Sequence, residues 1–285
     1  MAKNISVMTF LRWVVLIAAC ACVASAQQPT VNSGGVLNSA SYNTANPPGS
    51  LIVVFGTNFA SKTLVASSTP LSMQIGSGTD KVSVTIANKP AAIYYVAPAQ
   101  LSVQLPWGVA PGNASIIVTR NGSASPTETM TVAKFSPGIF TINQAGSGAA
   151  WVINNNDGSV AQPVAGWPFP KIVARPAKAG DNIFIYVTGL GPVASPPNDG
   201  ASPCPASGCP SNFTTIAKTT TAPEVLINGT AIPAANVQFS GLTPFYPGVY
   251  QLNFKVPSGI TPSGTTTLEV KIGGVTSNKV TFATQ

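Results

Sequence analysis

The stretch YQLNFKVPSGITPSGTTTLEVKIGGVTSNKVTF (residues 250–282) decides the fold once it is set beside AQLSVQLPWGVAPGNASIIVTRNGSASPTETMTV (residues 99–132). Both run strand, proline, turn, strand, glycine turn, strand. LNFKVP, Leu252 to Pro257, matches LSVQLP, Leu101 to Pro106, at every alternating position. Each proline stops its strand because it cannot donate to the ladder. Asn121-Gly122 and Gly273-Gly274 are hairpin tips, since both tolerate the left-handed backbone a tight turn needs. None of these conspicuous residues therefore calls for a catalytic role.

The correspondence extends upstream. NIFIYVTGLG (182–191) matches LIVVFGTNFA (51–60) as a buried strand leading to glycine. PEVLINGTAIPAANVQF (223–239) matches VSVTIANKPAAIYYV (82–96). Val36 and Val152 open corresponding first strands. Alternation also puts Val82, Val84 and Ile86 on one face. The period is roughly 130–150 residues, which is a tandem duplication and not a solenoid. Each copy holds about seven short strands with turn signals every 8–12 residues, the pattern of an antiparallel immunoglobulin-type sandwich. The expected class is all-β: two tandem immunoglobulin-like antiparallel β-sandwiches. The expected divisions are a signal peptide (1–26), a first sandwich (27–134), a junction (135–150) and a second sandwich (151–285). The second carries insertions near 163–176 and 196–219. The junction holds Phe135, Ile139 and Phe140, which should pack between the copies and make the tandem semi-rigid.

Composition agrees. The chain has 285 residues, enough for two cores, and Gly and Pro number 26 each, which suits short strands joined by turns. At 45% hydrophobic it is too apolar for disorder. Lys3 and Arg12 precede an apolar run from Trp13 to Val23 that ends at Ala24-Ser25-Ala26. This is the layout of a secretory signal, too short to span a bilayer. The mature chain is expected to begin at Gln27. Ile17-Ala18-Ala19-Cys20 also resembles a lipobox, which would make Cys20 a lipidated first residue; the apolar run continues past it, which favours cleavage after Ala26. The expected location is outside the cell, at its surface or in the periplasm, with no transmembrane segment in the mature chain. Loss of Lys3 and Arg12 takes the net charge from +7 to +5. The remaining cations stand singly, so no nucleic-acid partner is expected.

The pieces VLNSASY, PPGSLIVVFGTNFA, AAIYYVAPAQLSVQLPWG, SPGIFT, IYVTGLGPV, FSGLTPFYPGVYQLNFKVPSG and IGGVTSNKVTF resemble a group of secreted proteins and C-terminal modules from acidobacteria such as Solibacter. Their cores are similar to IPT/TIG domains. The resemblance covers about Val36 to Phe282 and implies fold and export. It supplies no catalytic residues. The cysteine loop and GWPFPKIVARP (166–176) stand outside it.

Chemistry finds little purchase. The chain has no histidine, which removes Ser-His-Asp and Cys-His nucleophiles. The acids Asp80, Asp157, Asp181, Asp199, Glu128, Glu224 and Glu269 fall in turns, at strand entries or on outer faces. No pair is placed to flank a glycosidic bond. Asn154 to Ser159 lacks the alternating acids of a calcium loop and reads as a hairpin turn. No metal or cofactor is expected. Cys204 and Cys209, in a Pro/Gly/Ser loop of an exported chain, read as a disulfide. Trp107, Trp151, Trp167, Phe169, Phe245 and Tyr246 are aromatics set beside Pro or Gly in loops or at strand ends, and the candidate ligand contacts are Trp167, Phe169, Phe245 and Tyr246. The expected function is a non-enzymatic interaction module outside the cell, whose partner is a protein or a polysaccharide. In the alternative, it is a carbohydrate-binding module acting through those aromatics.

Overall fold

The computed structural model describes residues 27–204 and 217–285. The expected signal peptide (1–26), with Cys20, and Cys209 lie outside them. The chain is all-β; among the described residues the only helical pieces are single 3-10 turns at Gly78–Asp80 and Ala234–Asn236.

The first half contributes β1 (Thr30–Asn38), β2 (Ala45–Asn46), β3 (Leu51–Thr57), β4 (Leu64–Val65), β5 (Gln74–Ile75), β6 (Val82–Ile86), β7 (Lys89–Pro90), β8 (Ala92–Val96), β9 (Gln100–Gln104), β10 (Gly112–Arg120), β11 (Ser123–Ala124) and β12 (Glu128–Val132). One sheet runs β1-β3-β9-β8-β4 and the facing sheet β2-β12-β10-β6-β5. The second half contributes β13 (Gly138–Ile139), β14 (Gly148–Ala149), β15 (Val152–Asn154), β16 (Asn182–Thr188), β17 (Glu224–Ile227), β18 (Thr230–Ala231), β19 (Val237–Leu242), β20 (Tyr250–Lys255), β21 (Ser263–Ile272), β22 (Val275–Thr276) and β23 (Val280–Thr284). Its sheets run β13-β16-β20-β19, with β15 also on β16, and β14-β23-β21-β17-β18.

The two halves repeat one topology. β1 pairs with β3 as β15 pairs with β16, and β3-β9-β8 corresponds to β16-β20-β19. In each copy the chain then crosses to lie parallel to the last strand, at Ala45–Asn46 on β12 and at Ala177 beside Thr284. Alternation fills each core. Val82, Val84, Ile86, Leu101 and Val103 point into the first, and Leu252, Phe254, Leu268 and Val270 into the second. The clusters are separate, one between Val31 and Val132, the other between Ile139 and Phe282. That sandwich-type burial is the main source of stability in each copy.

Hydrogen bonds tie the copies together. Asn38 is fully buried; its Nδ2 donates to the Ser136 carbonyl at 2.9 Å, and its Oδ1 accepts from the Ala40 and Ser41 amides. The Leu51 amide donates to Thr188 Oγ1 at 2.8 Å, and that hydroxyl donates to the Gly248 carbonyl. Tyr94 Oη donates to the Pro247 carbonyl at 2.6 Å. The segment before Cys204 reaches back onto the first sandwich: Asp199 accepts from the Trp107 amide, the Gly200 amide donates to Gln104 Oε1, and the Leu71 amide donates to the Gly200 carbonyl. Gly200 has φ +78°, and a Cβ there would stand 2.7 Å from the Leu71 carbonyl oxygen, so only glycine allows this approach. Of the junction residues, Ile139 belongs to the second core and Phe135 packs against that core, while Phe140 faces the space between the copies. Ile139 continues the ladder onto β16 opposite Val187, which turns its side chain inward.

Candidate functional site

The outer face of the β1-β3-β9-β8 sheet meets the outer face of the β16 sheet at an angle, and a cleft of about 450 Å³ opens between them. Six aromatic rings line it: Tyr42 and Tyr95 from the first sandwich, Phe140, Trp151, Tyr186 and Tyr246 from the second.

Backbone pattern aims each ring. On β16, Ile183, Ile185 and Val187 are buried in the core, so Phe184 and Tyr186 turn outward. Phe140 and Trp151 flank Tyr186: the Phe140 amide donates to the Tyr186 carbonyl, and the Trp151 amide to the Phe140 carbonyl. Tyr95 arrives through a bulge. Ile93 pairs with Val103 and Tyr95 with Ser102, so one extra residue intervenes on β8. The bulge places neighbouring Tyr94 and Tyr95 on the same face. Tyr94 then reaches Pro247 and Tyr95 lines the cleft. Tyr42 has φ +59°, a rare conformation for a bulky residue that costs about 1–3 kcal/mol. Its amide donates to the Asn38 carbonyl, its ring stacks on Phe55 at 6.5 Å, and Tyr42 Oη donates to the Gln144 carbonyl at 2.7 Å. The last bond spans the cleft from one sandwich to the other.

The polar lining is uncharged. Ser39, Ser102, Thr141, Gln100 and Gln144 supply hydroxyl and amide groups. Gln100 Nε2 donates to Tyr95 Oη. Ser39 Oγ is buried without a hydrogen-bond partner. Burial pushes the phenols of Tyr95 and Tyr186 above the ordinary tyrosine value, with smaller contributions from Tyr42 and Tyr246 respectively. Both rings are therefore neutral hydrogen-bonding groups at physiological pH. None of the seven carboxylates lines the cleft. Asp80 pairs with Arg120, Asp157 and Asp181 with Arg175, Glu224 with Lys271, and Glu269 with Lys279. Asn154 to Ser159 forms a tight turn with Asp157 Oδ1 accepting from the Ser159 amide. Among the described residues no cluster of His, Cys, Asp or Glu could hold a metal ion.

The four aromatics singled out from sequence divide. Tyr246, about half exposed, lines the cleft and meets Tyr186 edge-on at 6.3 Å. Phe245 is 61% exposed and points elsewhere. Trp167 and Phe169 lie outside the lining but pack on Trp151, at 6.4 and 5.7 Å. Trp107 fills the junction: its ring packs against the second core although its chain segment belongs to the first. Tyr42, Tyr95, Phe140 and Tyr186 were not among the aromatics the sequence offered; Trp151 was, beside Trp107, though not among the four candidate contacts. Aromatics at the outward positions of strands, where a lone sandwich would carry polar residues, were the signal that marked Tyr186. Cys204 is buried, and Cys209 lies outside the described residues.

Residues 37–132 match the IPT/TIG family, so an IPT/TIG domain is present in the first sandwich. No curated protein matches the chain. Among solved structures it is similar to SGBP-B of the Bacteroides ovatus mixed-linkage glucan utilization locus, in complex with a mixed-linkage heptasaccharide. That likeness has 14% identity and a TM-score of 0.30, and covers 84% of this chain and 42% of that one. It is similar too to SGBP-B from a complex xyloglucan utilization locus in Bacteroides uniformis, at 12% identity and TM-score 0.26, covering 90% and 49%. The S-layer protein SbsC, domains 5–6, is similar at 14% identity and TM-score 0.23, covering 90% and 98%. The chain thus spans less than half the length of either SGBP-B.

Proposed function

We propose that this is an exported, non-enzymatic binding protein whose ligand is a neutral polysaccharide held in the cleft between the sandwiches. The observation that carries the reading is the lining itself: six aromatic rings interleaved with hydroxyl and amide groups, and no charged side chain. Sugar rings offer apolar C–H faces to aromatic rings and hydroxyls to such polar groups. A charged ligand would find no counter-ion there. A protein partner is the other possible occupant, and the two separate by experiment. The absence of histidine from the chain and of carboxylates from the lining supports binding without chemistry. The export proposal rests on residues 1–26, and no described helix is long and apolar enough to cross a membrane. We propose the Cys204–Cys209 bridge as a closure of the loop that follows the Asp199–Gly200 contacts. Intact mass of the exported protein should show a chain starting at Gln27 and two hydrogens fewer than the sum of its residues. A lipid adduct on Cys20, or full reactivity of both thiols, would revise those points.

Tyr246 tests the ligand. It is half exposed, so Tyr246→Ala should leave the thermal midpoint unchanged. Calorimetric titration with neutral polysaccharides, mixed-linkage glucan and xyloglucan among them, should show affinity about 10- to 30-fold weaker than wild type. Wild-type affinity should be flat between about pH 5 and 9, since no Asp, Glu, His, Cys or Lys lines the site. Failure to bind any glycan on the panel would overturn the reading. Capture of a protein ligand that is lost with Tyr246→Ala would replace it.

A further inference from the structure

The strap between Val160 and Ala174 has no counterpart in the first sandwich. It leaves and rejoins the fold at one place: the Val160 amide donates to the Val173 carbonyl, and Val160 bridges Ala174. The next residue, Arg175, holds Asp181 at 2.8 Å and Asp157 at 3.0 Å, and its amide donates to the Val160 carbonyl. That base is therefore fixed. Within the strap, Trp167 Nε1 donates to the Ile172 carbonyl at 2.6 Å, and the Ile172 amide donates to the Phe169 carbonyl. Pro168 and Pro170 flank Phe169 and restrict its backbone further. Trp167, with its N–H spent inside the strap, works as a brace. Phe169 is part-exposed and has only its ring to offer. It packs edge-on against Trp167 at 5.2 Å and tilted against Trp151 at 5.7 Å, and Trp151 is itself a wall of the cleft. Tyr246, Tyr186 and Trp151 all line the cleft, and from Trp151 the aromatic surface extends out onto Phe169.

We propose that the cleft is one section of a longer track, with Phe169 forming an outlying subsite, so that the ligand is a neutral linear polysaccharide gripped along several successive sugar residues. This rests on the cleft being a glycan site. A ring fixed before the ligand arrives adds affinity without an ordering cost. That accounts for a strap tied down at its base and braced by an internal indole bond, and for Phe169 remaining part-exposed on it. A single sugar or a chain end would be served by the cleft alone.

The test compares chain lengths. Neutral gluco-, manno-, galacto- and xylo-oligosaccharides, each as disaccharide and hexasaccharide, are titrated into wild type, Phe169→Ala, Phe169→Tyr and Tyr246→Ala. For the sugar that binds, the hexasaccharide should bind wild type at least tenfold more tightly than the disaccharide. Phe169→Ala should weaken the hexasaccharide about tenfold and leave the disaccharide within twofold, while Phe169→Tyr restores the hexasaccharide. Tyr246→Ala should weaken both lengths. An unchanged thermal midpoint for Phe169→Ala shows that the strap still folds. Equal affinity for the two lengths, or a Phe169→Ala effect that is nil or the same on both, overturns the track and leaves the cleft reading standing. No binding of any sugar at either length overturns both.

Discussion

Trp107→Ala is expected to turn one thermal unfolding transition into two and to weaken ligand binding without touching the cleft. The residue follows Pro106 at the end of a first-sandwich strand, yet its ring packs against the second core. Its amide donates to Asp199 Oδ1 at 2.8 Å, so the backbone that carries the ring is also clamped across the junction. Gly49, at φ +79°, lets the ring in: a Cβ there would stand 2.2 Å from the indole. Truncating a tryptophan to alanine costs about 3–5 kcal/mol when fully buried, and the part-buried ring points to about 3. For a transition confined to one sandwich, between the small and the mid-sized domains in length, that corresponds to a fall of about 10–20 °C in the less stable transition. The hydrogen bonds from Leu51 to Thr188 and from Tyr94 to Pro247 remain, so the sandwiches stay adjacent but lose their fixed angle. The cleft walls belong to different sandwiches, so their spacing loosens and affinity falls. Gly49→Ala should reproduce both effects by expelling the ring. Calorimetry showing a single transition at the wild-type midpoint would refute this role for Trp107.

The fold was legible because its signals are local and repeated. LSVQLP and LNFKVP announce the same strand, stop and turn, and they became β9 and β20 in matching sheet positions. Val82, Val84 and Ile86 face the first core as alternation requires. The site was mostly illegible because its rings come from distant points of the chain, and only the angle between two sheets brings them together. Tyr95 shows the difficulty. Strict alternation from Ile93, which is in the core, places Tyr94 outward and Tyr95 inward. A bulge that leaves no mark in the side-chain pattern turns Tyr95 outward as well. Tyr246 and the Trp167–Phe169 strap were legible, since their Pro and Gly neighbours mark loops in the sequence. Tyr186 lay outside the loops, and its signal was instead the aromatic pair Phe184 and Tyr186 at outward positions of β16.

A buried ion pair beneath the first sandwich's end should give the other large effect. Asp80 is buried; Oδ1 accepts from the Ser61 amide at 2.8 Å and from Arg120 Nη2 at 2.7 Å, and Oδ2 accepts from the Ser61 hydroxyl. The Arg120 side chain is 13% exposed and also donates to the Asn58 and Thr79 carbonyls. The Ser61 hydroxyl is the largest cause holding the Asp80 carboxyl below its ordinary value. Burial opposes it, and the Ser61 amide and Arg120 add to the lowering. Asp80→Ala leaves a guanidinium buried without its counter-ion, and removing one partner of such a pair costs about 3–5 kcal/mol. The two remaining carbonyl acceptors put the expectation at about 3. The pH dependence has a definite sign. Above the ordinary aspartate value of about 3.9 the carboxylate is ionised in both states and its contribution is complete. Below it the unfolded chain takes up the proton first, so stability falls until the folded carboxyl protonates too. Denaturant midpoints should therefore separate wild type from Asp80→Ala widely at pH 7 and draw together as the pH falls below about 3.9, through the lowered value of the folded carboxyl. A gap that stays constant across that range would mean that packing, not the charge on Asp80, supplies the stability.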